Sequence, residues 1–354
     1  MDGTRRAFLD ELLTTPSPAG FEAEGQRVWV NYVSEFADEV TTDAYGNAVA
    51  TVEGDGPELA FVGHADEIGY MVRRVDDDGF VHLERVGGTD PTVTQGQHVV
   101  VHGADGPVNG VVGQSAIHLR DGDGEVPDVS DMRVDVGAED GDAARELVEV
   151  GDPITPASGV RDLAGTTVAA RGLDNRAGTW VAAEALRRAA EAGADATVHA
   201  VSTVQEELGK QGAKMVSFDL DPDAAVAVDV THATDYTATA GDGATAEGGD
   251  VALGEGPVVH RGSSNHPEVV DAVRAAAGDE ISVQLQAAGR STGTDADAFY
   301  TARSGIPSLN LGLPNRYMHT PVEVVDTEDL EASADLLAAF AEAAAGRDGF
   351  AVDV

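Results

Sequence analysis

From residue 167 onward the chain alternates between short apolar runs of strand length and longer runs with helical spacing. Residues 167–170, 196–204, 224–230, 282–286 and 307–311 read as strands, and 175–192, 212–218, 266–277, 295–302 and 328–345 as helices. This alternation restricts the architecture more than any other feature. Successive β and α units close into a mainly parallel central sheet flanked by helices, an α/β fold. The first 69 residues suit the same fold, with helices over 4–13 and 22–37 and strands over 39–42, 47–52 and 58–63.

Residues 70–166 break the pattern. Helical spacing fades, and short β-like runs (70–75, 80–86, 98–102, 110–113) are divided by turns such as 76–79 and 121–124. Residues 121–128 resemble a calcium loop only faintly, and read better as a solvated turn. The block is expected to be a small β-rich domain inserted into a catalytic domain made of 1–69 and 167–354. A glycine-rich stretch covers 241–249.

Charge excludes several functions. The chain carries 63 Asp and Glu against 22 Lys and Arg, a formal net charge of -41. Such a field repels nucleic acid and anionic membranes. The acids are spread along the whole length and Lys210 and Lys214 are the only lysines, which suits a surface solvated in high salt, as in a halophile. There is no cysteine, so thiolate metal sites are excluded. Without a signal-peptide pattern or a long apolar span, a soluble cytoplasmic protein is the expectation.

In sheets of this type ligands gather at the carboxyl ends of the strands. Reading only those ends gives His64 and Asp66 after the strand at 58–63, Asp174 between a strand and a helix, Glu206 and Glu207 after 196–204, Asp229 in 224–230, and His319 after 307–311. In extended chain His64 and Asp66 point to one side, an arrangement in which a carboxylate holds a metal-binding imidazole in one tautomer. Imidazole and carboxylate donors suit zinc, cobalt or manganese. A carboxylate shared by two metals would make a two-metal hydrolytic site. Of two adjacent glutamates, one can bind metal and the other act as general base. Structural readings compete: Asp174 could cap the following helix, Glu206 and Glu207 could form a solvated face, and Asp229 could be a turn acid. The other eight histidines, His82, His98, His199, His260 and His266 among them, are read as surface or core residues.

The segments Gly63-His-Ala-Asp-Glu-Ile-Gly69, Leu173-Asp-Asn-Arg-Ala-Gly178, Gln205-Glu-Glu-Leu-Gly209, Val228-Asp-Val-Thr-His-Ala233, Leu253-Gly-Glu-Gly-Pro257, Gly293-Thr-Asp-Ala296 and Arg316-Tyr-Met-His-Thr320 resemble, in order and spacing, the TET-type (tetrahedral) di-metal aminopeptidases. The resemblance spans nearly the whole chain. Gly110-Val-Val-Gly113 leading to His118, with Val134-Asp-Val-Gly137 and Val150-Gly-Asp-Pro153, is similar to that family's PDZ-like dimerisation domain, although Ala116-Ile117 stands where the family often has two prolines.

The resemblance implies two divalent metal ions per chain, zinc first and cobalt or manganese as alternatives. His64 and Asp229 would hold one and Glu207 and His319 the other, with Asp174 bridging. Glu206 would be the general base and Asp66 would orient His64. The Asp174–Asn175 peptide is expected to be cis. The activity implied is removal of N-terminal residues from short peptides. Assembly through the inserted domain into dimers, and six dimers into a dodecamer, is implied as well. Thr294, Asp295, Arg316, Tyr317 and His118 are candidates for substrate contact, with an Asp295–Arg316 pair equally readable as structural. A carboxypeptidase or amide deacylase with the same metal set is the nearest rival, and a catalytically silent binding protein the rival from another class. An endoglucanase is disfavoured because glycosidases use a carboxylate pair rather than a di-metal site.

Overall fold

In the computed structural model, residues 1–119, 126–236, 250–347 and 349–354 are described. The expected turn at 121–124 and glycine-rich stretch at 241–249 lie outside the described residues.

The main sheet has eight strands among the described residues, ordered in space Glu39–Thr42, Ala48–Val52, Thr197–Thr203, Glu58–His64, Ala224–His232, Ser308–Asn315, Val258–Gly262 and Gln284–Ala288. The four central strands, from Thr197–Thr203 to Ser308–Asn315, are parallel. Antiparallel pairing joins the flanks to this centre. The sheet is therefore mixed, with a parallel heart. Its central strands are buried on both faces, as strands covered by helices on each side must be.

Helix Leu173–Ala192 covers one face and is almost wholly buried. Its small residues let it approach the sheet closely. A Cβ at Gly63 would lie 2.5 Å from backbone atoms of Gly178 and Thr179, so only glycine fits one residue before His64. Trp29, Trp180, Phe61 and Phe340 fill the largest core with the side chains of helices Gly3–Thr14 and Thr327–Ala344.

The residue 70–166 region contains a closed six-stranded barrel, Gly69–Val75, Phe80–Val86, Arg133–Asp135, Gly106–Val112, His98–Gly103 and Pro153–Pro156. Alternate residues of its strands, including Tyr70, Val72, Val81, Leu83, Val99, Val101 and Ile154, fill a separate apolar interior. Two short helices, Pro91–Thr94 and Gly141–Arg145, interrupt the β pattern.

Several expectations need correction. Thr167–Ala170 does not belong to the main sheet. It lies in a three-stranded antiparallel sheet between Arg161–Asp162 and Glu323–Asp326. Strands Val258–Gly262 and Glu323–Asp326 are additional to those expected. The helix expected over 22–37 spans Ala23–Val33, after which Ser34 turns its hydroxyl back to the Val30 carbonyl and tighter turns follow. Among the described residues no helix is long and apolar enough to cross a membrane.

Candidate metal centre

The ladder itself brings the first donors together. Strand Glu58–His64 pairs in parallel with Thr197–Thr203, placing Thr203 opposite His64, so the chain reaches Glu206 and Glu207 just beyond the histidine. On its other side Val62 faces Ala227, and two residues further along stand His64 and Asp229. Asp229 lies inside strand Ala224–His232, not at a turn.

Asp174 sits at the centre. Its Oδ1 is 3.3 Å from His64 Nε2 and its Oδ2 is 3.2 Å from His319 Nε2. Glu207 Oε1 is 3.3 Å from His319 Nε2, and Asp229 Oδ1 is 3.8 Å from His64 Nε2. Ligand atoms of His64, Asp174 and Glu207 lie within 4.8 Å of one another. Asp174 does not cap its helix: it and Asn175 are non-helical, and Asn175 Oδ1 accepts the Gly178 amide at 3.0 Å where the regular turns begin. The Asp174–Asn175 peptide is cis. Asp174 also arrives from the small sheet, so the cluster is not made solely at the ends of one set of strands.

Glu206 lines the same cleft, and no hydrogen bond or ion pair engages its carboxylate among the described residues. The cleft, about 270 Å³, is also lined by Thr231, His260, Thr294, Asn310 and Met318. A second, small cavity of about 20 Å³ lies on the other side of Asp174, Glu207 and His319, against Ile68, Tyr70 and Val93. The barrel closes in here. A Cβ at Gly88 would be 2.9 Å from His319 Nδ1.

Side-chain acceptors hold the backbone around the donors. Four successive amides donate to them: Val204 to Asn47 Oδ1 (2.9 Å), Gln205 to Glu22 Oε1 (3.1 Å), Glu206 to Asp66 Oδ1 (2.9 Å) and Glu207 to Asp66 Oδ2 (3.1 Å). Asp66 Oδ1 also lies 3.3 Å from His64 Nδ1. Asp66 thus lies against His64, whose Nδ1 also meets the Asp66 backbone carbonyl at 3.2 Å, and its carboxylate fixes the amides of both glutamates, which was not expected. Glu323 accepts from the Asp174 and His319 amides at 3.0 and 2.9 Å. Glu67 pairs with Arg171 and, through two 2.9 Å bonds, with Arg176, tying the end of the His64 strand to the segment carrying Asp174. Glu22, Asn47, Glu67 and Glu323 escaped the sequence reading. The one available signal was proximity to a motif, as with Glu67 beside Asp66 and Glu323 four residues after His319.

Charge in the centre is unevenly matched. Hydrogen bonds to Asp174 and Glu207 push His319 up to about 11. Burial alone would lower His64, but the carboxylates of Asp174, Asp66 and Asp229 outweigh it and raise it well above the usual imidazole range. Burial raises Asp229 strongly and Glu206 to about 9, with neighbouring carboxylates adding to both. For Asp174 burial acts upward, but hydrogen bonds from His319 and His64 prevail and lower it. Five carboxylates, those of Asp66, Asp174, Glu206, Glu207 and Asp229, crowd two imidazoles in a largely buried cluster with His319 at its open side. Divalent cations suit that donor set and that excess of negative charge.

The substrate-contact candidates divide. Thr294 lines the cleft. Asp295 is buried behind it and accepts from the Thr203 hydroxyl. Arg316 pairs with Asp235 at 2.8 and 2.6 Å, so the Asp295–Arg316 pair is not formed. The rim position of Arg316 puts Asp235 within its reach and leaves Asp295 under the strand ends. Tyr317 is 44 % exposed and packs edge-on against Tyr236. His118 lies exposed on the Ile117–Leu119 turn of the inserted region and is not among the cleft residues.

Comparison with known proteins follows this geometry. The M42 glutamyl aminopeptidase family profile matches residues 46–336. The lysyl aminopeptidase of Pyrococcus furiosus is 32% identical over 343 residues, covering 95% of this chain and 96% of that protein. Among solved structures, a TET aminopeptidase from a marine sediment archaeon of the Thaumarchaeota superposes with a TM-score of 0.89 at 29% identity, covering 96% of both chains. The Pyrococcus horikoshii TET1 peptidase, which can assemble into a tetrahedron or a large octahedral shell, gives a TM-score of 0.84 at 29% identity, over 95% of this chain and 99% of that one. These likenesses define a metal-dependent hydrolase of the exopeptidase class. Within that class, the chain belongs to the M42 glutamyl aminopeptidase family.

Proposed function

We propose that the protein is a di-metal aminopeptidase acting on short peptides. His64 and Asp229 would hold one divalent cation and Glu207 and His319 the other, with Asp174 available to both, zinc being the first choice and cobalt or manganese the alternatives. The observation that carries this reading is the division of Asp174: each oxygen faces a different histidine, on a different segment. When bound, such cations polarise the scissile carbonyl and lower the pKa of the attacking water. Glu206, whose carboxylate faces the cleft and has no partner among the described residues, would be the general base that takes a proton from the attacking water and returns it to the leaving amine. Asp66 orients His64 and holds the amides of Glu206 and Glu207, keeping the base and its neighbouring ligand in place.

The inserted barrel is the assembly domain in this reading, forming dimers and, from six of them, a dodecamer. Assembly of the related TET1 peptidase into closed shells supports it. So do Ile117 and Leu119, 71% and 83% exposed on that domain.

The direct test compares peptides bearing a free α-amine with the same peptides N-acetylated, in high salt with each metal in turn. Release of the first residue from the free-amine series alone is the expected result. Cleavage of the blocked series would favour an amide deacylase, and release from the other end a carboxypeptidase.

A further inference from the structure

Glu323 is 2% exposed and belongs to neither ligand set. Its Oε2 accepts the Asp174 amide at 3.0 Å and its Oε1 the His319 amide at 2.9 Å. Both amides need such an acceptor. Asp174 lies at the kink near the start of Leu173–Ala192, before the regular helical turns, where its ψ of 103° is not helical and no intrahelical carbonyl serves its amide. His319 has φ 61°, a left-handed conformation costly for a residue with a side chain.

The backbone repeats the arrangement. Strand Glu323–Asp326 pairs on one side with Thr167–Ala170, with Glu323 opposite Ala170, and that neighbour leads into Asp174. On its other side Val324 exchanges two hydrogen bonds, 2.9 and 3.0 Å, with Arg316, three residues before His319. One short strand is therefore stitched to both segments, and its first side chain bridges the donors they carry.

We propose that Glu323 is a positioning residue that sets the spacing of Asp174 and His319, and through it the affinity for the cation those two residues share with Glu207. The inference rests on the two-metal reading above. Glutamine keeps the shape but offers one acceptor oxygen and an NH2 group, so it cannot accept from both amides. Loss of a partner that orients ligands typically weakens metal binding about 10- to 100-fold.

The test is a titration of metal-stripped protein with cobalt(II), followed by uptake and by the visible spectrum, which reports ligand geometry without any assay of turnover. Wild type is expected to take up two equivalents. Glu323→Gln should bind the cation at Asp174, Glu207 and His319 about 10- to 100-fold more weakly, with a changed spectrum for that ion. If Glu323→Gln only melts earlier and binds both equivalents as wild type does, Glu323 is structural and the inference is overturned alone. Uptake of a single equivalent by wild type overturns the two-metal reading and this inference with it. Should the variant fail to fold, hydrogen exchange on metal-stripped wild type decides: slow exchange of the Asp174 and His319 amides supports the bridge, and exchange as fast as that of exposed turn amides overturns it.

Discussion

The two halves of the centre are built differently. His64 and Asp229 stand on adjacent parallel strands and are 2% and 7% exposed. The ladder between the two strands runs to Val62 and Ala227, two residues short of each, and the register that buries the sheet also places the donors. Glu207 and His319 stand on loops, and the His319 side chain is 35% exposed. Only the isolated bridge between Arg316 and Val324 runs near them among the described residues. The fold instead holds the backbone amides with buried or half-buried side-chain oxygens: Asp66, Glu22 and Asn47 for 204–207, and Glu323 for His319. Regular structure can place a donor through main-chain bonds alone, whereas a loop needs dedicated acceptors. Asp174 joins the halves, with its amide held by Glu323 and its segment tied to the His64 strand through Glu67.

The largest expected effect separates chemistry from both halves. Glu206→Gln should lower kcat by about 10²- to 10⁴-fold, as for loss of a general base, while metal content measured by mass spectrometry stays at the wild-type value. A fall in metal content would make Glu206 a ligand and blur the division of roles.

Glu67→Gln probes the anchor of the strand-borne half. It leaves Arg171 and Arg176 buried without their carboxylate, a change that costs about 3–5 kcal/mol. Burial raises the Glu67 pKa, but the two guanidinium groups outweigh it and hold it at about 2, below the ordinary 4.5. A depressed carboxylate contributes stability above its unfolded pKa and loses it as pH falls. The gap in denaturant stability between wild type and variant should thus be constant above pH 4.5 and shrink between 4.5 and about 2. A constant gap throughout would refute the pairing as its source.

The smallest effect tests the loop-borne half alone. At Gly88 a methyl group would press on the His319 ring at 2.9 Å, an overpacking worth about 1–3 kcal/mol. Gly88→Ala should weaken only the cation held by Glu207 and His319, read by calorimetric titration. Equal weakening of both cations would show that the halves are not independent.

The difference between the halves also explains what could be read from the chain. Strand periodicity exposed the ends of 58–63, 196–204 and 307–311, and residues just beyond or within strands therefore stood out as donors. The barrel was legible as a loss of helical spacing and a run of turn signals. The acceptors were not legible. In a chain with 63 acids, a carboxylate such as Glu22 or Glu323 has no sequence mark that separates it from a solvated one. Their role arises from tertiary approach, with Glu22 meeting Gln205 and Glu323 meeting Asp174. The same limit produced the Asp295–Arg316 pairing, since motif proximity cannot tell that Asp235 lies nearer to Arg316.

Two cations per chain, shared across unlike halves by Asp174, are the core of this account. The most direct test adds zinc stepwise to metal-stripped wild-type protein and follows bound metal and peptide hydrolysis together. Two equivalents should bind, with most of the hydrolysis appearing as the second is taken up. Full activity with a single equivalent bound would contradict the account.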